Sequence, residues 1–290
     1  MSVPAPRARL MPAREVPLGG LRSMNVQRAL PQRGVPTVGA WCFLDRFGPQ
    51  RTAMRVDPHP HMGLQTVTWP LVGEVRHRDS IGSDAVLSPG QLNLMTAGLG
   101  IAHSEYSLGD GAVELDALQL WIALPEATRR SARGFERHES LPSVRIAASH
   151  GDDALATVIM GSFAGVTSPA TTYSPLVGAQ VLVTAGSRVT IPLTSKWEHA
   201  VVLLAGDVLV HASTDGVDTV TRPARNDRER DSWHRAGDRD RAALAADRDG
   251  ECLARRRYGD CAPGSAGEPG LSAAQRRTAV VFVCAGAVSR

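Results

Sequence analysis

Two histidines in the stretch RVDPHPHMGLQTVTWP, residues 55–70, have the type and spacing of a metal-binding pair. The chain holds nine histidines among 290 residues, so His59 and His61 at this spacing are either chance or a site. Residues i and i+2 of a β-strand point to the same face, and the two imidazoles would therefore project together. Pro58 and Pro60 donate no ladder hydrogen bond and have a fixed φ, which predicts a stiff extended segment at a sheet edge or strand start.

A second pair follows about 40 residues later, in TAGLGIAHSEYS. His103 and Glu105 repeat the i, i+2 spacing, and Gly98 and Gly100 before them are typical of a tight turn that redirects a strand. Three imidazoles and one carboxylate suit Fe(II), Mn, Ni, Cu or Zn better than Ca or Mg. Four protein ligands would leave room in an octahedral sphere for a substrate or dioxygen.

Other residues are expected to support the four candidate ligands or to have structural roles. His77, in GEVRHRDS, is expected to be a satisfied core residue or to orient a ligand rather than to be a fifth one, and Gln65 and Asp79 are candidates for orienting a ligand. Four apolar residues are expected to line or support a dry pocket, and some of them to be core: Leu64, Val67, Met95 and Ile101. The remaining histidines are isolated and are interpreted as structural or surface residues: His138, His150, His199, His211 and His234.

Short alternating segments dominate residues 37 to about 211, and Gly, Pro, Asp and Ser separate them at intervals of roughly 8–12 residues. This pattern, without long amphipathic helices, predicts an all-β sandwich or barrel. A polar connector at residues 121–144 separates two halves, which contain the similar phrases LSPGQLNLM and LLAGDVLVHA. The similarity indicates a duplication of β-barrels.

Composition excludes several classes of protein. A formal charge of +3 gives no general field for binding polyanions, so no direct nucleic-acid partner is expected. Four cysteines without CxxC spacing favour a reducing compartment over a disulfide framework. We find neither a secretory h-region in the first 20 residues nor an apolar run that could span a bilayer, and we expect a cytoplasmic monomer without a membrane partner.

The C-terminal region changes character. Residues 222–257 contain 11 arginines and eight acidic residues in 36 positions, which is typical of a solvated or disordered tail. A basic nucleic-acid arm is the alternative, but the interleaved acids argue against it. The last stretch, TAVVFVCAGAVSR, could form one strand.

Four consecutive motifs, HPHMGLQTVTW, GEVRHRDSIGS, SPGQLNLMTAGLGIAHSE and LQLWIALP, together resemble the pirin family of the cupin superfamily. The resemblance implies two tandem jelly-roll barrels, with an N-terminal barrel at residues 1–135, a second and incomplete barrel at 136–221, and an atypical, partly disordered segment at 222–290. It also implies one metal ion, usually iron, held in the first barrel by His59, His61, His103 and Glu105.

The sequence departs from the family pattern in three places. Gln65 stands where many pirins have Glu, and Pro70 interrupts a strand, which predicts a bulge or an edge. The Arg/Asp-rich segment replaces the usual end of the second barrel. Our hypothesis for this last departure is a reading frame that shifted near residue 220.

The resemblance implies two alternative functions. The first is a quercetin 2,3-dioxygenase-like enzyme that uses Fe(2+) and dioxygen to open a flavonol such as quercetin or a related enol, with Glu105 as a permanent ligand or as a general base. The alternative is a non-catalytic, iron- and redox-sensing protein that regulates transcription or an enzyme partner. A decayed enzyme is a third, weaker interpretation, based on the abnormal C-terminus.

Overall fold

The computed structural model describes residues 9–18, 24–194, 196–212, 216–221, 244–246, 252–255 and 278–287. These residues form strands and no helix, and therefore none of them belongs to a helix that could cross a bilayer. The strands of the first half are β1 (Arg14–Leu18), β2 (Met24–Leu30), β3 (Trp41–Thr52), β4 (Arg55–His61), β5 (Leu64–Val72), β6 (Val75–Asp79), β7 (Asp84–Leu87), β8 (Leu92–Thr96), β9 (Ile101–Ser107), β10 (Val113–Ala123) and β11 (Gly134–His138). Those of the second half are β12 (Ser143–Ile146), β13 (Ala148–His150), β14 (Ala154–Phe163), β15 (Val166–Thr167), β16 (Leu176–Thr184), β17 (Arg188–Pro192), β18 (Trp197–Ala205), β19 (Asp207–Ala212), β20 (Gly216–Thr221), β21 (Leu244–Ala246), β22 (Cys252–Arg255) and β23 (Thr278–Ala287).

The first half forms one barrel from two facing antiparallel sheets. A seven-stranded sheet has the order β1-β2-β3-β10-β5-β8-β11, and a four-stranded sheet has the order β4-β9-β6-β7. Strand β11 lies within the predicted connector, residues 121–144, and pairs with β8, so this part of the connector is the last strand of the first barrel. The two histidine-bearing strands, β4 and β9, are neighbours in the four-stranded sheet.

The second half forms a second barrel, which makes the chain an all-β, two-barrel protein as predicted. Its sheets have the orders β12-β14-β16-β23-β18, with β15 beside β14, and β13-β17-β20-β19-β22-β21. The strand expected in TAVVFVCAGAVSR is present as β23, which lies between β16 and β18 and is almost wholly buried.

Strand β23 bears on the frame-shift hypothesis. A shifted frame that ran to the end of the chain would have replaced this buried strand as well, so the hypothesis now concerns only residues 222–277. Most of that Arg/Asp-rich segment lies outside the described residues.

Side chains along β5 alternate between the face that packs on the second barrel and the face that lines the first. Val67 and Trp69 belong to a core that also contains Met160, Leu204 and Phe282 of the second half. Thr68 faces the opposite way and contacts Glu105 inside the first barrel. The seven-stranded sheet therefore has an apolar outer face that packs on the second barrel and an inner face that lines the first barrel.

Pro70 causes the irregularity predicted from sequence. The pairing of β10 with β5 shifts register where Asp116 opposes Val72 and Ala117 opposes Pro70. On the other side, β8 pairs with β5 only as far as Thr68. The missing N–H of Pro70 leaves no bond of the β5–β8 ladder unmade, because that ladder ends at Thr68.

Candidate metal centre

Neighbouring strands bring three of the predicted ligands together. His59 on β4 is directly opposite His103 on β9. The ring centroids lie 4.8 Å apart for His59 and His61, 4.6 Å for His59 and His103, and 5.0 Å for His61 and His103. One nitrogen from each ring lies within 4.8 Å of the other two. The i, i+2 spacing thus places both imidazoles of β4 on the face that meets His103.

The imidazole nitrogens fit a transition-metal ion. His59 Nδ1 is 2.9 Å from the Asp57 carbonyl, which only accepts hydrogen bonds, so Nδ1 carries the proton and Nε2 carries the lone pair. His61 Nε2 lies 3.0 Å from that Nε2. Two nitrogens bonded at a right angle to one ion, at about 2.1 Å each, would be separated by about 3.0 Å. His103 Nε2 is buried without a hydrogen-bond partner, as a metal ligand would be in the absence of its ion.

Glu105 belongs to a second, overlapping group. Ligand atoms of His77, His103 and Glu105 also lie within 4.8 Å of one another, so the two groups share His103. The Glu105 side chain is buried, and the Thr68 hydroxyl donates to its Oε1 over 2.7 Å. This bond fixes the carboxylate within the barrel. That all four predicted ligands hold a single ion remains a prediction.

Gln119 completes the support behind Glu105. Its Oε1 is 3.0 Å from the Thr68 hydroxyl oxygen, within reach of the same proton that Thr68 donates to Glu105. Sequence reasoning missed both residues, although two signals were present: Thr68 has the opposite parity to Val67, and Gln119 is polar within the apolar run LDALQLWIALP.

The electrostatic environment keeps the buried imidazoles neutral. Burial lowers the pKa of His61 to about 4, and the neighbouring His103 and His59 add to this effect while Glu105 opposes it. Burial, with help from His59 and His77, lowers the pKa of His103 to about 3. At neutral pH both rings therefore have a free lone pair, which is the form that binds a metal.

His77 lies beside the site, as expected for a residue that orients a ligand. Its Nδ1 is 3.3 Å from Nδ1 of His103, and its Nε2 is 3.2 Å from Oδ2 of Asp79. Burial raises the pKa of Asp79, but hydrogen bonds from Ser83 and His77 outweigh it and hold that pKa below its ordinary value. Phe135, which the sequence did not indicate, stacks on His77 at 4.6 Å.

One of the sequence-based assignments is wrong. The Gln65 amide donates to the Thr96 hydroxyl and to the Thr171 carbonyl, on the face of β5 opposite Thr68, so it does not orient a ligand. Val67 is one of the apolar candidates that belong to the core, in its case the core between the barrels. Met95 and Ile101, in contrast, form a small buried cluster with Ala97 that packs on Phe135 beside His77.

The other histidines lie away from the site where the structure describes them. His138 pairs with Glu136 at 3.2 Å, His199 accepts a hydrogen bond from the Thr194 amide, and His150 is exposed. The side chains of His211 and His234 lie outside the described residues. The interpretation of His138, His150 and His199 as structural or surface residues is consistent with these positions.

Two further polar groups on the inner wall have no hydrogen-bond partner within the part of the chain that the structure describes. Both amide atoms of Asn93, which is directly opposite Thr68 on β8, are buried there without a hydrogen bond. The same is true of the Trp121 indole Nε1. The Trp121 ring meets His61 edge-on at 4.9 Å and stacks on Phe43 at 4.0 Å. The interior around the site is therefore aromatic and polar rather than purely apolar.

The two barrels and the histidine/glutamate centre define a bicupin, and comparisons with known proteins give its family. Residues 23–122 match the sequence profile of the Pirin family. A Pseudomonas aeruginosa protein described as a candidate quercetin 2,3-dioxygenase is 42% identical over 202 residues, which are 68% of this chain and 62% of that protein. The crystal structure of a quercetin 2,3-dioxygenase from Acinetobacter baumannii is 30% identical and superimposes with a TM-score of 0.67, covering 96% of this chain and 78% of that one. The chain belongs to the pirin family.

A more distant structure shares the fold alone. The bacterial pirin YhhW from Escherichia coli, in complex with nickel(II), has a TM-score of 0.55 at 14% identity, covering 95% of this chain and 96% of that one. The chain spans less than two thirds of the length of the Pseudomonas aeruginosa relative, 62%.

Proposed function

We propose that this chain is a metal-dependent dioxygenase, with Fe(2+) as its ion, that acts on a flavonol such as quercetin or on a related enol. One observation carries the proposal: imidazoles of adjacent strands converge on the buried Nε2 of His103, which has no hydrogen-bond partner among the described residues. The names of the Pseudomonas aeruginosa and Acinetobacter baumannii relatives support the substrate class. The free state of Cys42 and Cys284 supports a cytoplasmic location, which stays a prediction.

The residues of the site have separate roles in the proposed reaction. His59, His61 and His103 would hold the ion, with Glu105 as the fourth ligand. When bound, the ion supplies Lewis acidity that lowers the pKa of a substrate hydroxyl and a template that orients the reactants. The residues beside the histidines, Met95, Ile101 and Phe135, exclude water from this end of the barrel.

Glu105 is the residue that we assign to proton transfer. Its Oε1 is occupied by the Thr68 hydroxyl, which keeps the carboxylate oriented. Its other oxygen would bind the ion or, when released from it, accept the proton of the substrate hydroxyl, because a carboxylate oxygen that carries no proton is a competent general base. Oε1 of Gln119 is a second acceptor within reach of the Thr68 hydroxyl.

Oxygen uptake on addition of quercetin to anaerobically purified, iron-loaded protein tests the proposal. We expect uptake that depends on the flavonol and is lost in His59→Ala, while His138→Ala retains it because His138 pairs with Glu136 away from the site. Uptake that does not depend on substrate, or that persists in His59→Ala, would contradict the proposal. Metal retention without any flavonol-dependent uptake would favour the iron-sensing binding protein instead.

A further inference from the structure

We infer that Asp79 and His77 are positioning residues that fix His103 in the tautomer that binds metal. The inference rests on the proposed metal site but not on the proposed reaction. It concerns where two protons lie on the two rings, and it follows from which atoms around these rings can only accept a hydrogen bond.

Asp79 sets the first proton. Its Oδ1 accepts hydrogen bonds from the backbone amides of Ile81 and Ser83 at 3.0 Å and 2.9 Å, and its Oδ2 faces Nε2 of His77 at 3.2 Å. The side chains of Asp79 and His77 are 0% and 2% exposed, so water does not compete for these groups. Because an ionised carboxylate only accepts, Nε2 of His77 must carry a proton.

His77 then sets the second proton. Nδ1 of His77 lies 3.3 Å from Nδ1 of His103, and with the ring proton on Nε2 it presents a lone pair there. That nitrogen of His103 must therefore donate, and its lone pair is left on Nε2. The reverse arrangement would bury an N–H at Nε2, where the described residues offer no acceptor. An unsatisfied buried donor is destabilising.

Strand register and packing hold this chain of contacts in place. Asp79 is directly opposite His103, and His77 is directly opposite Glu105, on adjacent strands β6 and β9. Phe135 of β11 lies nearly parallel to the His77 ring, at an interplanar angle of 20°. Both nitrogens of His77 are thus engaged by neighbours, which explains why His77 supports the site and is not a fifth ligand.

The proton arrangement can be measured in the unaltered, metal-free protein. Nitrogen-15 NMR of the histidine rings distinguishes a protonated nitrogen from one with a free lone pair. We expect His103 with its proton on Nδ1 and His77 with its proton on Nε2. A proton on Nε2 of His103 would overturn the inference without any need for a variant.

Two variants test the consequence for metal binding. In Asp79→Asn the amide can donate to His77, which reverses the tautomers along the chain. In His77→Gln the contact to His103 changes without loss of a ligand. We expect both variants to bind Fe(II) or Co(II) about 10–100-fold more weakly, measured anaerobically by competition with a chelator.

Controls separate this inference from the proposed function. Glu136→Gln alters a carboxylate–histidine pair of the same spacing and the same 3.2 Å distance at His138, and should leave affinity unchanged. Electron spin-echo spectroscopy of the Cu(II)-loaded protein should count three imidazoles in both the parent and His77→Gln. One imidazole fewer in His77→Gln would make His77 a ligand, and unchanged affinity in both variants would make the pairs merely structural. If His103→Ala also bound metal as the parent does, the proposed metal site itself would fail.

Discussion

At the scale of single residues, the carboxylate of Glu105 depends on a hydroxyl behind it. Thr68 is buried in the seven-stranded sheet, and its hydroxyl donates to Glu105 and also lies within hydrogen-bond distance of Oε1 of Gln119. The bond from Thr68 holds the carboxylate in one orientation, which both a ligand and a general base require.

We predict that Thr68→Val weakens metal binding by about 10–100-fold, because the methyl group keeps the shape of the side chain but cannot donate to Glu105. Isothermal titration with Co(II) under anaerobic conditions measures the change. Thr66→Val is the matched control, since Thr66 is equally buried on the same face of β5. Equal losses of affinity in the two variants would show that Thr68 has no special role.

The buried histidines also predict a pH dependence for the metal-free protein. Folding lowers the pKa of His61 to about 4 and that of His103 to about 3 from an ordinary value of 6.5. Between pH 6.5 and 4 the unfolded chain therefore binds protons that the folded chain does not, and the free energy of unfolding falls as the pH drops. Above pH 6.5 these two groups contribute no slope.

Urea unfolding at several pH values between 4 and 6.5 measures this slope, which we expect to be smaller in His103→Gln than in the parent. The variant retains a polar, uncharged side chain of similar size. A parent and a variant with identical slopes would contradict the lowered pKa of His103.

At the scale of elements, two loops must place β4 and β9 in register. The loop after His61 and the turn before β9 are tied by a hydrogen bond from the Gly63 amide to the Gly98 carbonyl. Gly98 and Gly100 both have positive φ, 47° and 131°, as the sequence predicted for a turn that redirects a strand. The turn thus connects the two ligand-bearing strands at the end nearest the imidazoles.

We predict that Gly98→Ala is more destabilising than Gly90→Ala and that it alone lowers metal affinity. Both glycines have positive φ, so each substitution carries backbone strain of about 1–2 kcal/mol. At Gly98 a Cβ would also lie 2.2 Å from the Ser131 carbonyl oxygen, whereas at Gly90 it would meet nothing within 4 Å. Chemical denaturation and a metal titration of both variants test this. Equal stability and equal metal affinity of the two variants would show that the turn does not position the ligands.

The strands were largely predictable from the sequence, but the strands with which they pair were not. The alternation in LQTVTW and the HxH and HxE spacings predicted strands and shared faces, because these depend on local geometry. That β11 returns to pair with β8 and stacks Phe135 on His77 depends on contacts distant in sequence, and no local pattern encodes it. The role assigned to Gln65 was wrong because it was based on the glutamate that many family members have at this position. Gln65 has the same parity along β5 as Val67, which faces the core between the barrels.

At the scale of the whole molecule, the two barrels are joined through one face of the first barrel. Trp41 is fully buried in the shared core, and its indole Nε1 donates to the carbonyls of Val177 and Ala285 in the second barrel. Arg46 forms a buried bidentate pair with Asp116 and also donates to the Leu204 carbonyl. The sheet that carries Thr68 and Gln119 on its inner face is thus stabilised from its outer face by the second barrel.

We predict that Arg46→Met destabilises the protein by about 3–5 kcal/mol, because it leaves Asp116 charged and buried without a partner. The double variant Arg46→Met/Asp116→Leu should recover most of that loss. Arg76→Met is the control, since the Arg76–Asp84 pair is exposed and screened by water. Differential scanning calorimetry gives the comparison, and a double variant no more stable than Arg46→Met would contradict the explanation.

The central claim is that His59, His61, His103 and Glu105 surround one transition-metal ion, and anaerobic iron titration of the parent and of His103→Ala tests it most directly. His103 is shared by both groups of ligand atoms, so its loss should disrupt the site more than any change behind it. The account predicts tight binding of a single ion per chain in the parent and its loss in a folded His103→Ala protein. Equal iron content in the two proteins would contradict it.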